Sequence, residues 1–226
     1  MTSYYTQKLS GRRLERCYEV ASPRVRQYLE AEIVHALSRL RPADTVLELG
    51  CGTGRIARRV ARVAKRVVGI DTAAETLARA RETVTENNCE FLEMDALSLR
   101  FPDGSFDAVL CLQNGICAFA VDPDTLLKEA LRVTRVGGIV LLSSYADGFW
   151  DERLAWFEAQ AAEGLLGAVD RAASKDGVIV CEDGFRAGRM TPEGFRELCG
   201  RASVAGEVVE VDGSSVVCEV RKGAKV

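Results

Sequence analysis

The run Val46-Leu47-Glu48-Leu49-Gly50-Cys51-Gly52-Thr53-Gly54 holds residues suited to gripping a charged ligand. Three glycines at alternate positions follow an apolar, strand-forming segment and precede an arginine-rich helical pattern. Glycine admits positive φ and lets a ligand approach the main chain closely. The helix expected after Gly54, over about residues 54–63, aims its unpaired N–H groups at the same place. A second strand, Arg66 to Ile70, ends in Asp71, 19 residues beyond Gly52. An acid at that strand tip can accept hydrogen bonds from a ribose diol.

Two ligand chemistries fit a strand, a glycine turn and a helix. A dinucleotide site spaces its glycines G-x-G-x-x-G and seats a pyrophosphate on the helix N-terminus. Here the spacing is G-x-G-x-G, and Glu48 stands two residues before the first glycine. A carboxylate there repels a pyrophosphate but suits a ligand with a cationic amino-acid end. S-adenosylmethionine has such an end, with an ammonium and a sulfonium. The segment from Glu48 to Gly54, with Asp71 after it, resembles motifs I and II of the class I S-adenosylmethionine-dependent methyltransferases. The resemblance covers about residues 42–145 by motif and 190–221 by pattern.

That resemblance implies S-adenosylmethionine as cofactor and S-adenosylhomocysteine as its product. It assigns Glu48, Gly50, Cys51, Gly52 and Gly54 to the methionine part, and Asp71 with Thr72 to the ribose. It assigns Asp95 and Ala96 to the adenine, and the backbone of Cys111 or Leu112 to a further cofactor contact. Gln113 and Asn114, after the fourth strand, face the transferred methyl group and are candidate acceptor contacts. Tyr145 and Trp150, near the end of the fifth strand, are candidate pocket aromatics, and Tyr5 with Tyr4 and Tyr18 lies on a segment able to fold over the site. Trp156 and Phe157 read as helix packing, and Cys117 as a possible contact to a soft acceptor. No histidine falls near a strand end, so no catalytic base is evident. An acceptor that is already ionised would need none.

These residues need a frame to hold them. Ser22-Pro23 is an N-cap followed by proline at the first helical position, opening a helix over about residues 23–40. Strands are expected at about 45–49, 66–70, 90–94, 108–112 and 139–144, with helices at about 73–86 and from Pro123 to Val133. Arg135 to Gly138 reads as the turn into the fifth strand. Apolar strands alternating with helices predict an α/β fold: a doubly wound, mostly parallel, seven-stranded Rossmann-like sheet with an antiparallel last strand. Further on, the pattern gives a helix over about Phe149 to Gly164, a hairpin around Glu182-Asp183-Gly184 and a helix from Thr191 to Arg201. A final hairpin turns at Asp212-Gly213, a pair that favours tight turns. One domain of 226 residues is expected. It would comprise an N-terminal helical lid (1–41), a cofactor-binding core (42–145), an acceptor-specificity insertion (146–190) and a closing helix and hairpin (191–226).

Composition narrows the partners. The net charge is −3, and the arginine clusters at 12–16 and 55–62 read as solvated helix faces. The Asn/Asp-Pro-Pro-aromatic motif of enzymes that methylate nucleic-acid amines is missing after the fourth strand. A small-molecule acceptor is therefore expected, with no nucleic acid and no membrane. The eight cysteines form no C-x-x-C, and the single histidine, His35, reads as structural. No metal is expected. A cytoplasmic monomer or homodimer is the expected form. A protein or tRNA methyltransferase on the same fold and a non-enzymatic module that binds the cofactor are the alternatives.

Overall fold

A computed structural model describes residues 4–224. Its centre is a seven-stranded sheet. In chain order the strands are β1 (Thr45–Leu49), β2 (Arg66–Asp71), β3 (Cys89–Glu93), β4 (Phe106–Cys111), β5 (Thr134–Tyr145), then a short pair β6 (Ile179–Val180) and β7 (Arg186–Ala187), and finally β8 (Gly206–Val211) and β9 (Ser215–Arg221). The sheet order is β3-β2-β1-β4-β5-β9-β8. All neighbours from β3 to β5 pair in parallel, and β9 runs antiparallel to both β5 and β8. The chain starts in the middle at β1, builds outward through β2 and β3, and returns to β1's other side with β4. That reversal opens a crevice at the carboxyl ends of β1 and β4.

Helices cover both faces: α1 (Tyr4–Lys8), α2 (Gly11–Glu19), α3 (Pro23–Leu37), α4 (Ala57–Val60), α5 (Ala74–Thr83), α6 (Gly115–Ala118), α7 (Pro123–Val133), α8 (Trp150–Ala162) and α9 (Pro192–Arg201). Strand alternation decides which core each side chain joins. Val46, Ala108, Leu110, Ile139 and Leu141 pack with Ile33, Ala57, Val60 and Leu77 on one face. Leu47, Leu49, Val109, Val140 and Leu142 pack with Leu126, Leu127, Phe195 and Leu198 on the other. The caps are as the sequence implies: the side chains of Ser22, Asp122 and Thr191 accept from the N–H groups of Val25, Thr125 and Gly194. Each is followed by proline at the start of its helix.

Three expectations change. The helix after the glycine loop is only Ala57–Val60, rather than about 54–63. Gly54 has φ +79°, and three-residue bonds such as Arg59 N–H to Ile56 O (2.8 Å) interleave with four-residue ones, so the turn consumes the helix's first residues. The turn at 135–138 lies inside β5. Phe106 pairs with Thr134 while Ala108 pairs with Ile139, so the extra residues bulge out of a strand that continues on both sides. The helix expected at 73–86 ends at Thr83, with Val84 already extended.

The residues outside the sheet form two clusters of their own. Leu9 and Cys17 pack with Phe157, Leu165, Ile179 and Phe185. Tyr28 and Val25 pack with Tyr145, Phe149 and Trp156. The N-terminal helices and the segment after β5 thus share a core above the strand ends. His35 Nε2 lies 2.8 Å from Glu219 Oε1, which also accepts from Arg39; this ties α3 to β9, away from the crevice. The cysteines among the described residues are free thiols, and no cluster of His, Cys, Asp and Glu among them could hold a metal ion. No described helix is long and apolar enough to cross a membrane.

Candidate functional site

The carboxyl ends of β1, β2 and β4 open into a cavity of about 470 Å³. Its floor is the glycine loop, where Gly50, Gly52 and Gly54 have φ +68°, +54° and +79°. Gly50, Cys51 and Gly52 line the cavity, whereas Gly54 does not. A Cβ on Gly54 would lie 2.7 Å from Val84 and 3.0 Å from Phe91. The third glycine therefore serves close packing of the loop against α5 and β3.

Glu48 sits in the cavity wall, 2% exposed, with its Oε2 lacking any hydrogen-bond partner. Burial pushes its carboxyl up to about 8 against the pull of Arg55; Asp71 pushes it further up, and the Ala57 N–H draws it back. A buried acceptor without a donor costs free energy, and a cationic ligand would supply both donor and charge. Asp71 is also raised, chiefly by burial. Its two oxygens accept from Gly52 N–H (3.0 Å) and Ala73 N–H (2.9 Å), which clamps the glycine loop to the start of α5. Thr72 N–H also draws on this carboxylate, and the acceptor capacity left over can serve a further donor. Thr72 lines the cavity beside it, as do Met94, Asp95 and Ala96 from the end of β3. Asp95 Oδ1 accepts from Leu97 N–H at 2.8 Å, shaping that loop.

Past β4, Gln113 and Asn114 adopt left-handed backbone (φ 54° and 62°). Gln113 reaches the cavity, and its Nε2 is buried with no partner. Its N–H donates to Glu32 Oε2 (2.9 Å) and to the Ser143 hydroxyl (2.8 Å). Asn114 turns away from the cavity. Its Nδ2 donates to Gly188 O and its Oδ1 accepts from Ser144, so it latches the insertion to β5. Cys111 is wholly buried in the core, and Leu112 takes the cavity position at that strand end. Tyr145 and Tyr5 line the cavity. Trp150 instead lines a second cavity of about 530 Å³ with Arg153, Lys175 and Arg189, and among the described residues only Tyr145 borders both.

Several cavity residues lie outside the motifs. Arg55 was expected on a solvated helix face, but α4 begins only at Ala57, and the loop carries Arg55 inward. Its Nε and Nη2 are buried without partners, and its guanidinium lies 4.7 Å from the Tyr18 ring centre. Trp156 and Phe157, read as helix packing, also form cavity wall, as does Tyr28 of α3. Helical spacing marks these residues as inward-facing without saying whether core or cavity lies inside.

Two buried acids make the ligand-free protein sensitive to pH. Glu32 is raised to about 7, chiefly by burial, against the pull of Ser215, Gln113 N–H, Ser143 and Arg55. In the unfolded chain both carboxyls ionise near 4.5. Between that value and about 8 the folded state holds the more protons, so stability falls as pH rises. Thermal unfolding across this window is expected to show a declining midpoint, with a smaller decline in Glu48→Gln. An equal decline in both would overturn the assignment to Glu48.

Known proteins resemble this chain in sequence and in fold. A methyltransferase-domain family profile matches residues 46–138. The malonyl-[acyl-carrier protein] O-methyltransferase of Yersinia pestis is 36% identical over 127 residues, covering 55% of this chain and 46% of that protein. The 2-methyl-6-phytyl-1,4-hydroquinone methyltransferase of Synechocystis is 33% identical over 141 residues, covering 58% of this chain and 42% of that protein. The matches thus span less than half the length of these relatives. Among solved structures, the DhpI-SAM-HEP complex superposes with a TM-score of 0.66 at 22% identity, covering 98% of this chain and 100% of that one. A SAM-dependent methyltransferase from Aquifex aeolicus gives 0.59 at 15% identity, covering 91% and 96%. Residues 46–138 thus match a methyltransferase domain, and the chain has the fold of solved S-adenosylmethionine-dependent methyltransferases.

Proposed function

We propose that this protein transfers the methyl group of S-adenosylmethionine to a small-molecule acceptor. The observation that carries this reading is the unpartnered Glu48 Oε2, buried in the wall of a cavity floored by Gly50 and Gly52 and flanked by Asp71. The residues present fit the cofactor. Glu48 would take its ammonium, Arg55 its carboxylate, Asp71 with Thr72 the ribose hydroxyls, and Asp95 with Ala96 the adenine. When bound, the cofactor supplies an electrophilic methyl group on a positively charged sulfur. The chain's part is to orient the acceptor in line with that group and to exclude water; alignment alone contributes up to roughly 7–11 kcal/mol. The N-terminal helices would act as a lid, and residues 146–190 would set acceptor specificity, since Tyr5, Trp156 and Phe157 from these segments line the cavity.

Calorimetric titration with S-adenosylhomocysteine, with NAD as control, tests the reading. Binding of the first alone is expected; binding of NAD alone would overturn it. Asp71→Ala is expected to weaken S-adenosylhomocysteine roughly ten- to a hundredfold, because it removes the ribose acceptor and frees the Gly52 N–H from its clamp. Unchanged affinity would remove Asp71 from the site.

A further inference from the structure

The part of the cavity away from the glycine loop has a composition of its own. Its walls are flat or apolar: Leu9, Trp156 and Phe157. Two polar side chains border this lining without a protein hydrogen bond of ordinary length. Gln113 Nε2 is buried with no partner, and the buried Tyr28 hydroxyl interacts only loosely with the Tyr145 phenol; Tyr28 as a whole is 0% exposed. Both are donors, since burial holds the Tyr28 phenol well above its ordinary value and so protonated.

A positive charge stands behind the same wall. Arg153 is 1% exposed, and its guanidinium lies 4.1 Å from the ring centre of Tyr145 and 5.7 Å from that of Phe157. Its Nη atoms donate to backbone carbonyls of Gly177, Ala187 and Gly188, and its Nε has no partner. The groups that act most strongly on its charge are the phenols of Tyr145, Tyr28 and Tyr5 and the thiol of Cys117, while Asp147 and Asp176 line the second cavity with it and make no ion pair to it. A buried cation compensated only by dipoles favours a nearby anion. The opposing acid on α3 is Glu32, four residues beyond Tyr28, whose oxygens are occupied by Gln113 N–H and the Ser215 hydroxyl. Glu48 and Asp71 lie on the cofactor side.

We propose that the methyl acceptor is a flat, largely apolar molecule carrying an acidic oxygen, of the phenol or enol class, bound as its oxyanion by the Tyr28 hydroxyl and Gln113 Nε2 within the field of Arg153. This rests on the methyltransferase reading above. The acceptor's proton leaves to solvent before reaction. A lone pair of the ionised oxygen forms the bond to the methyl carbon as that carbon's bond to sulfur breaks. Sulfur keeps the bonding pair and becomes a thioether, and the acceptor departs as a neutral methyl ether. No protein base is required.

The test uses 4-nitrophenol, whose phenolate form absorbs in the visible, titrated into the protein saturated with S-adenosylhomocysteine at a pH where the free probe is mostly neutral. Binding is expected to raise the phenolate band. Tyr28→Phe and Gln113→Leu, which keep side-chain volume, are each expected to weaken binding about tenfold and reduce that band. 4-Nitroanisole, which lacks the ionisable oxygen, is expected to bind at least about tenfold more weakly. Binding of the probe as the neutral phenol, equal binding of nitroanisole, indifference to both substitutions, or no binding to protein that takes up S-adenosylhomocysteine would each overturn the proposal. Failure to bind S-adenosylhomocysteine would overturn the cofactor reading and this proposal with it.

Discussion

Glu48→Gln is expected to weaken S-adenosylhomocysteine binding by about 2–4 kcal/mol, roughly thirty- to a thousandfold. The substitution keeps shape and removes charge. In the ligand-free protein, burial holds the Glu48 carboxyl near 8, so at neutral pH it is mostly protonated. An ammonium arriving beside it favours the ionised form and expels the proton. Two consequences distinguish this from a packing role. Wild-type affinity should rise with pH, approaching tenfold per pH unit below the ligand-free value of about 8 and levelling above it. Calorimetry in buffers of different ionisation enthalpy should also register proton release. In Glu48→Gln both effects should be reduced. A Gln variant that binds as tightly as wild type, with the same pH profile, would show that the unpartnered oxygen does not face the ligand.

Gly50→Val is the second large effect. Gly50 has φ +68°, where a β-branched residue is strained by about 1–3 kcal/mol. A Cβ there would clash with the ring of Phe119, and overpacking of this kind costs about 1–3 kcal/mol more. Together they should lower the melting temperature by roughly 5–20 °C. S-adenosylhomocysteine binding should also be lost, because Gly50 and Phe119 line the same cavity. Gly200→Ala is the matched control. Gly200 lies in α9 with no atom within 4 Å of the added Cβ, so Ala there should be neutral or stabilising by up to about 1 kcal/mol. A Gly50→Val protein that melts with wild type would contradict the left-handed loop.

The sequence by itself determined the local elements, because their causes are local. Serine, aspartate or threonine before proline set three helix starts. Asp212 and Gly213, at φ 58° and 63°, turn the last hairpin as an aspartate-glycine pair should. Apolar strands with acids and glycines at their carboxyl ends implied a parallel sheet and a cofactor crevice, and the sheet order agrees. The changed elements were those where a neighbour intervened. The first helix is cut short by the packing that Gly54 permits against Val84 and Phe91. The turn before the fifth strand became a bulge because β4 pairs with the chain on both sides of it.

Which polar side chains reach the cavity without a partner was decided by tertiary structure alone. Arg55 and Arg58 look alike in a string of arginines, yet Arg58 is exposed while Arg55 has buried, unpaired nitrogens in the cavity. Tyr28 and Arg153 carry no motif; they matter because helices distant in sequence bring both against the ring of Tyr145, which borders the two cavities. Asn114 and Gln113 are adjacent and chemically alike, but one is latched to Gly188 and the other left unpaired in the cavity. Desolvation and the absence of a partner are properties of a place in the fold, and a one-dimensional pattern does not encode which polar atoms end up without one.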